Sequence, residues 1–439
     1  MAADDAWAAD AAASGSRPGG PLRVAIISHV DPTGTYGSAS SLRHHLAALS
    51  AAPEINLAVF CPPEGDLAES PKHGWLHTTV AMPVAVRPNY QNVSGLARGA
   101  AWLARSLRPP PSHADLKAWQ PDVIHLNSLT LEPMIRWCAR DPALSRVPIV
   151  ASVRESLTTA LSSPRRALLG SLSHYVCISP VTRRHLLIAL DDSLAERTTV
   201  IPNLIGTPVS ALDRLPAGSP VAPGNDPTPA PVSFAFIGRL EPEKGPHRII
   251  RAFRRAGLDD CELLLIGGGR HPLGWWLRMR CRSTPQVRCV GVMPEVAGSA
   301  LYSSIDVIVR GDHRYLGLGR VGQEALAAGK LLVMPDPGGD PVTPSEADTN
   351  SIVWMNGQDE AALTDALMRA RDWAIARRRN PGGTAPSVAA AATPTGTAPI
   401  ADPIASAAGG TSVDAYCRAW QDVYTAAAGH ATPSSEAHR

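Results

Sequence analysis

Three clusters in this chain combine glycine with charge in a way that suits a phosphate group. The first is Gly238-Arg239, followed by Lys244-Gly245, between the apolar run 232–237 and Pro246. Two cations there would flank the mouth of a helix. With its free N–H groups they would neutralise a diphosphate, unless they are simply solvated loop charges. The second is 318–330 (LGRVGQEALAAGK), which puts Gly319, Arg320 and Gly322 in a first helical turn. The unpaired N–H groups of such a turn attract anions. Glu324 stands one turn further in, where a carboxylate can accept both hydroxyls of a ribose or merely complement the positive helix end. The third is Gly34 and Gly37, which either admit a backbone close to phosphate or serve as plain turn residues. His29, His125 and His313 lie near expected strand ends, and each is read first as structural.

The surrounding pattern says what must position these residues. Short apolar runs at 22–28, 55–60, 122–126, 148–153, 174–178 and 198–201 read as strands of a buried parallel sheet. Between them lie helical segments: one carrying Leu42, Leu46 and Leu49 on a face, and others near 131–139, 164–172 and from Ser179. The alternation restarts after a Pro/Gly-rich stretch. Strands are expected at 232–237, 262–266, 287–290, 305–309 and 331–334. Helices are expected from Pro246, with Ile249, Ile250 and Phe253 inward, and over about 319–328. Strand–helix alternation is the signature of α/β sheets, whose ligands bind beyond the carboxyl ends of the strands. A last periodic segment, 412–426, places Val413, Tyr416, Trp420 and Val423 on one helical face.

Composition narrows the function classes. With 439 residues, two domains plus tails are expected. A formal net charge of +2 gives no global case for nucleic acid, and the basic runs 270–282 and 376–379 read as solvated faces. Seven cysteines, odd in number, scattered and without a CxxC, argue against a disulfide framework and a zinc site and suit a reducing compartment. The first twenty residues lack the basic and apolar regions of a signal peptide, and no apolar stretch reaches membrane-spanning length. A cytoplasmic protein is expected, with peripheral contact at the inner face of the cell membrane left open.

The motifs GRLEPEKG, LLIGGG and GRVGQEALAAG, in that order and spacing, resemble the donor-binding half of GT-B glycosyltransferases, particularly family four. VGVMPEVAGSALYSSIDVIV resembles the segment between them. In the first half CPPEGDLAE, PDVIHLNS, VRES, CISP and VIPN are similar as well. The resemblance covers roughly 22–375. It implies an α/β fold of two Rossmann-like, doubly wound parallel-sheet domains facing a cleft, with a C-terminal helix crossing back to the first domain. The implied organisation is a tail at 1–20, an acceptor-side domain at 21–205, a linker at 206–231, a donor-binding domain at 232–379, a low-complexity segment at 380–411, a crossover helix at 412–428 and a tail at 429–439.

The resemblance also implies roles. Arg239 and Lys244 would grip the donor diphosphate and stabilise the leaving nucleotide. The main chain at Gly37 and Gly238 would meet the phosphates, Gly319, Arg320 and Val321 would lie along diphosphate and sugar, and Glu324 would hold the ribose. Relatives carry a second glutamate eight positions before the ribose glutamate, against the transferred sugar, and here that residue is Leu316. Many also carry a histidine after the strand at 148–153, where this chain has Arg154 and Glu155. These two and His125 are the acceptor-side candidates. The implied reaction is retaining transfer without a metal from a nucleotide-sugar, UDP- or GDP-linked, to a glycan, lipid or small-molecule acceptor. No carboxylate nucleophile is assigned. Leu316 also supports a rival, a GT-B pseudo-enzyme that binds a nucleotide or partner without turnover. A nucleotide-sugar epimerase and a generic nucleotide-binding α/β protein are lesser rivals. The absence of GxGxxG after the first strand and of GxxxxGK[ST] weakens the last of these.

Overall fold

The computed structural model describes residues 20–32, 34, 37–62, 79–81, 114–155, 157, 161–204, 230–268, 277, 281, 284–293, 301–313, 315–338, 340, 351–380 and 412–429. The chain divides into two compact units, Met1–Leu204 with Thr411–Arg439, and Ile205–Gly410. The 206–231 stretch falls almost wholly outside the described residues, as do the low-complexity segment, both tails and the 270–282 basic run.

The first unit is built on β1 (Leu22–Ile27), β2 (Ile55–Cys61), β3 (Thr79–Ala81), β4 (Val123–Leu126), β5 (Ile149–Val153), β6 (His174–Cys177) and β7 (Thr198–Val200). Their order is β3-β2-β1-β4-β5-β6-β7, and every pairing is parallel. Parallel neighbours need a crossover. Those described are α1 (Gly37–Leu49), α2 (Ala114–Trp119), α3 (Glu132–Arg140), α4 (Ser163–Gly170) and α5 (Pro180–Ala189). Leu42, Leu46 and Leu49 are fully buried, as the spacing predicts. Helix α5 starts where Ser179 and Thr182 form a reciprocal capping box, with Pro180 at the first helical position. Two elements, β3 and α2, had no clear signal in sequence.

The second unit repeats the plan. β8 (Val232–Ile237), β9 (Cys261–Ile266), β10 (Val287–Gly291), β11 (Val307–Val309), β12 (Leu331–Pro335) and β13 (Ile352–Met355) form an all-parallel sheet in the order β10-β9-β8-β11-β12-β13. Helices α6 (Pro246–Arg255), α7 (Gly319–Ala327) and α8 (Glu360–Arg379) accompany it. β13 and α8 extend the unit beyond the last strand read from sequence. The run 376–379 becomes the last turn of α8, where arginines complement the helix dipole.

One device recurs in both sheets. Asp122, just before β4, accepts the Arg23 N–H at 2.8 Å, and Asp306, just before β11, accepts the Ser233 N–H at 2.8 Å. Each aspartate ties the first strand of its sheet to the strand across the point where the winding reverses. That reversal opens the ligand crevice of a doubly wound sheet.

Helix α9 (Val413–Gly429) packs on the first unit. Tyr416, Trp420 and Val423 are buried as expected, but Val413 is exposed at 52%. It opens the helix, ahead of the turn that meets the body.

Candidate functional site

In the second sheet the reversal lies between β8 and β11, and the loops beyond these strands are pressed together. Gly245 adopts φ +66°, and a Cβ there would sit 1.9 Å from the Gly311 carbonyl oxygen. Gly267, at φ +138°, would set a Cβ 1.9 Å from the Gly238 oxygen. Only glycine satisfies both the dihedral and the approach. The glycines after β8, β9 and β11 therefore form one packed floor.

Charge is laid over that floor. Arg239 is largely exposed and pairs with Glu241 at 2.7 Å. Lys244 reaches Oδ1 of Asp312 at 3.4 Å, while Arg310 holds Oδ2 from Nε at 2.9 Å and Nη2 at 2.7 Å. Burial pushes the Asp312 carboxyl up, but the Arg310 and Lys244 charges outweigh it and hold its pKa below the usual value. Arg310 Nη1 also donates to the carbonyls of Gly317 and Leu318, at 2.5 and 2.7 Å. One guanidinium thus links the Lys244 loop to the residues that open α7. Buried Arg248 donates to the carbonyls of Gly311 and Asp312 from beneath.

Gly319, Arg320 and Val321 form the first turn of α7, and no side chain caps it. Its leading N–H groups have no intrahelical partner. Glu324 is partly buried. Its Oε1 accepts from Arg320 Nε at 2.6 Å and its Oε2 from the Tyr302 hydroxyl at 2.7 Å. Leu316 is half-buried, between Tyr315, packed against Trp354, and Gly317.

The first sheet reverses between β1 and β4, and Arg154 lies beyond β5. Its Nε and Nη2 donate to the backbone and side-chain oxygens of Asn127, both at 2.9 Å, and its Nη1 to Asn203 Oδ1 at 2.8 Å. Glu155 turns back to accept the Ser128 hydroxyl and the Leu129 and Arg154 N–H groups. It is thereby committed to the 3-10 turn after β4. His29 Nδ1 is buried without a hydrogen-bond partner among the described residues, and burial, then the Arg154 charge, lowers its pKa to about 4. His125 is fully buried. Its Nε2 meets Ser152 Oγ and its Nδ1 meets the Tyr424 hydroxyl, each at 2.8 Å. Gly37 is the exposed first residue of α1, with open space where a Cβ would stand. Arg43 draws the preceding loop inward by donating to the Pro32 and Gly34 carbonyls at 2.7 Å.

Residues 227–378 match the family described as glycosyl transferases group 1. A glycogen synthase of Mycobacterium tuberculosis is 25% identical over 339 residues, covering 72% of this chain and 79% of that protein. The fold is that of sucrose-phosphate synthase from Thermosynechococcus elongatus, with TM-score 0.56, 18% identity and coverage of 81% and 90% of the two chains. It is also that of Anabaena HepE, solved with UDP and glucose, with TM-score 0.50, 16% identity and coverage of 82% and 95%.

The second unit carries a glycosyl transferases group 1 domain.

Within that domain the structure joins Lys244, through Asp312 and Arg310, to the start of α7, and so to Gly319, Arg320 and Glu324. Arg239 stands apart from that network, exposed on the same loop. His125, read first as structural and also as an acceptor-side candidate, has no exposed surface and meets Ser152 and Tyr424 of α9 through its two ring nitrogens. Sequence reading passed over Arg310, Asp312 and Tyr302. The first two had a readable signal, a charged pair straddling Gly311 directly after an apolar strand. Tyr302 had none, because only folding brings its hydroxyl to Glu324. Among the described residues no group of three or more His, Cys, Asp or Glu side chains is placed to hold a metal, and no helix is long and apolar enough to cross a membrane.

Proposed function

We propose that this chain is a glycosyltransferase that moves a sugar from a nucleotide diphosphate donor to a glycan, lipid or small-molecule acceptor, with retention and without a divalent metal. The observation that carries this reading is the Lys244–Asp312–Arg310 chain, which braces a cationic, glycine-floored loop against the uncapped start of α7. A diphosphate laid there meets Arg239, Lys244 and the α7 N–H groups together. These would stabilise the negative charge that develops on the leaving phosphate, which is electrostatic preorganisation. Glu324 takes the ribose hydroxyls in exchange for Arg320, and Tyr302 keeps its other oxygen oriented. A UDP-linked donor is favoured over a GDP-linked one, since HepE holds UDP on this fold. The acceptor side is assigned to the crevice beside Asn127 and Arg154. We place the protein in the cytoplasm, which suits its scattered thiols.

The test is a panel of nucleotides and nucleotide-sugars read by melting temperature and donor hydrolysis. Ligand at a hundredfold excess over Kd stabilises by about 2.7 kcal/mol. UDP should raise the melting temperature, and EDTA should leave hydrolysis intact. No shift with any nucleotide at millimolar concentration would remove the donor reading. A second reading, a pseudo-enzyme that binds nucleotide without turnover, is favoured by Leu316, which cannot accept a sugar hydroxyl. It predicts a thermal shift with no hydrolysis.

A further inference from the structure

The spacing of the cysteines suggested no pairing, yet folding brings two together. Cys281 and Cys289 lie with their sulfurs 2.6 Å apart. Both are partly exposed, and both pack against the second unit's core. Leu277, four residues before Cys281, is fully buried. Cys289 lies on β10, the edge strand, in the same alternating set as buried Val287, while Arg288 and Val290 face outward. Burial alone would leave inert thiols, as for Cys138 and Cys177, whose pKa values are pushed up to about 12. The Cys281 thiol is pushed up as well, by its contact with Cys289 first and then by burial, and what sets the pair apart is that it is mutual and reachable from solvent.

What lies beside the pair gives it consequence. The β10 ladder runs in register to Cys289 opposite Leu265, then shifts, so that Gly291 stands opposite Ile266. The Gly291 carbonyl accepts the Gly267 N–H at 2.7 Å, and Gly267 is the glycine packed on Gly238. Gly238 N–H in turn donates to Ile266 at 2.9 Å. From Cys289 to the Arg239 loop the path is therefore continuous backbone hydrogen bonding and contact, with a bulge at the point where it can give.

We propose that Cys281 and Cys289 form a redox-modifiable pair whose intramolecular disulfide braces β10 and is felt at the donor loop. The oxidant is a low-molecular-weight disulfide. A thiolate of the pair attacks one sulfur of RS–SR, forming a mixed disulfide and releasing RS⁻. The second cysteine, as thiolate, attacks the protein-side sulfur and expels another RS⁻. The two released thiolates take up the two protons, so two protein thiols are oxidised by two electrons and one RS–SR is reduced to two RSH. The modification does not depend on the function proposed above. Its effect at the donor loop rests on that reading.

The test uses the full chain in its folded state with oxidised glutathione as probe, followed by alkylation and peptide mapping. A peptide joining Cys281 to Cys289 is expected, with Cys61, Cys138, Cys177 and Cys261 alkylated only after unfolding. Cys289→Ser and Cys281→Ala should each abolish the cross-link, with melting curves confirming that both variants fold. UDP affinity should differ at least threefold between oxidised and reduced protein, and not between oxidant-treated and untreated Cys289→Ser. Absence of the cross-link in folded protein, or its equal formation in urea-unfolded chain, would overturn the pair. A cross-link with unchanged UDP affinity would overturn the coupling. Absence of UDP binding in both redox states counts against the donor reading alone, because the peptide map still decides the pair.

Discussion

The Tyr424 hydroxyl on α9 lies 2.8 Å from Nδ1 of His125 in β4, a bond across 299 residues of sequence. The same hydroxyl stands 3.4 Å from His45 Nε2, whose Nδ1 is 2.8 Å from the Tyr416 hydroxyl. Trp420 packs on both imidazoles, with ring centroids 4.6 and 4.7 Å away. The last helix is therefore held by a buried polar cluster as well as by apolar area. A buried polar group left without its partner costs roughly 1–3 kcal/mol. Tyr424→Phe should accordingly lower stability by about that amount, measured by urea unfolding.

The same cluster sets a pH dependence. Burial, then the Arg154 charge, lowers the His45 pKa to about 3, and His125 lies well below its ordinary value, through burial first and then His45 and Arg154. The folded state thus resists protons that the unfolded chain takes up below about pH 6.5. Stability contributed by these neutral rings is full above that value and is lost as pH falls toward the folded pKa. Each ring contributes a slope of up to about 1.4 kcal/mol per pH unit. Between pH 7 and 5, before most carboxylates titrate, the unfolding free energy should fall, and His45→Gln should flatten the slope. A flat wild-type profile over that range would show that the cluster admits protons freely.

The glycine floor predicts a contrast between two substitutions. Gly267→Ala meets both an unfavourable φ and a carbonyl 1.9 Å from the new methyl. It should cost on the order of 3 kcal/mol. Gly257 shares a positive φ, +60°, with nothing within 4 Å. Gly257→Ala should cost only about 1–2 kcal/mol. Equal losses in denaturant melts would mean that backbone conformation alone, not the close approach, selects glycine at 267.

Arg239 and Lys244 should separate activity from stability. Arg239 is exposed and its Glu241 pair is a surface contact, so Arg239→Ala should change stability by less than about 1 kcal/mol. Lys244→Ala deprives buried Asp312 of one of its two cations and should cost somewhat more. If both meet the diphosphate as charge develops, each loss should lower kcat by on the order of 10²–10³. Activity that falls only in step with folded fraction would make both residues structural.

How much of this was legible beforehand follows from what kind of signal each feature leaves. Strands such as β1, β8 and β12 are apolar runs buried on both faces, so hydropathy marks them directly. Gly238, Arg239, Lys244 and Glu324 stand at strand-to-helix junctions, where glycine and charge are conspicuous. By contrast, β3 is three residues long, and α2 is a single short turn pair. His125, read first as structural and also kept as an acceptor-side candidate, could not be settled from sequence, because the helix that covers it lies nearly three hundred residues away. Arg310 and Cys281 share that difficulty: their roles depend on partners set by the sheet order, which local sequence does not carry.

Tyr302 and Glu324 should move a different kinetic constant. A ribose is held alike in ground and transition states, and losing such uniform binding raises KM without changing kcat. Tyr302→Phe removes the hydrogen bond that orients Glu324 Oε2 and should raise the donor KM several-fold with kcat nearly unchanged. Glu324→Ala should do so by roughly ten- to a hundredfold, since hydrogen bonds to a charged group are worth about 1.5–3 kcal/mol. A fall in kcat at constant KM in either variant would move Glu324 from the ribose to the reacting bond.

Leu316 decides between enzyme and pseudo-enzyme. It is held on both sides, by Tyr315 packed on Trp354 and by Gly317, whose carbonyl Arg310 grips at 2.5 Å. A leucine so placed offers apolar contact, and it excludes a buried sugar hydroxyl by the roughly 1–3 kcal/mol that an unpaired polar group costs. The wild-type enzyme should therefore favour a deoxy or differently oriented sugar, and Leu316→Glu should shift donor preference toward ordinary hexoses. The direction follows from what a carboxylate adds, an acceptor for a hydroxyl that leucine rejects, and the ratio of kcat/KM for the two donor classes reads it. We expect turnover because Arg239, Lys244 and Glu324 are retained together, and a site kept only for binding has no need of all three. Tight UDP binding with no transfer or hydrolysis of any donor, with acceptor extracts supplied, would overturn that expectation.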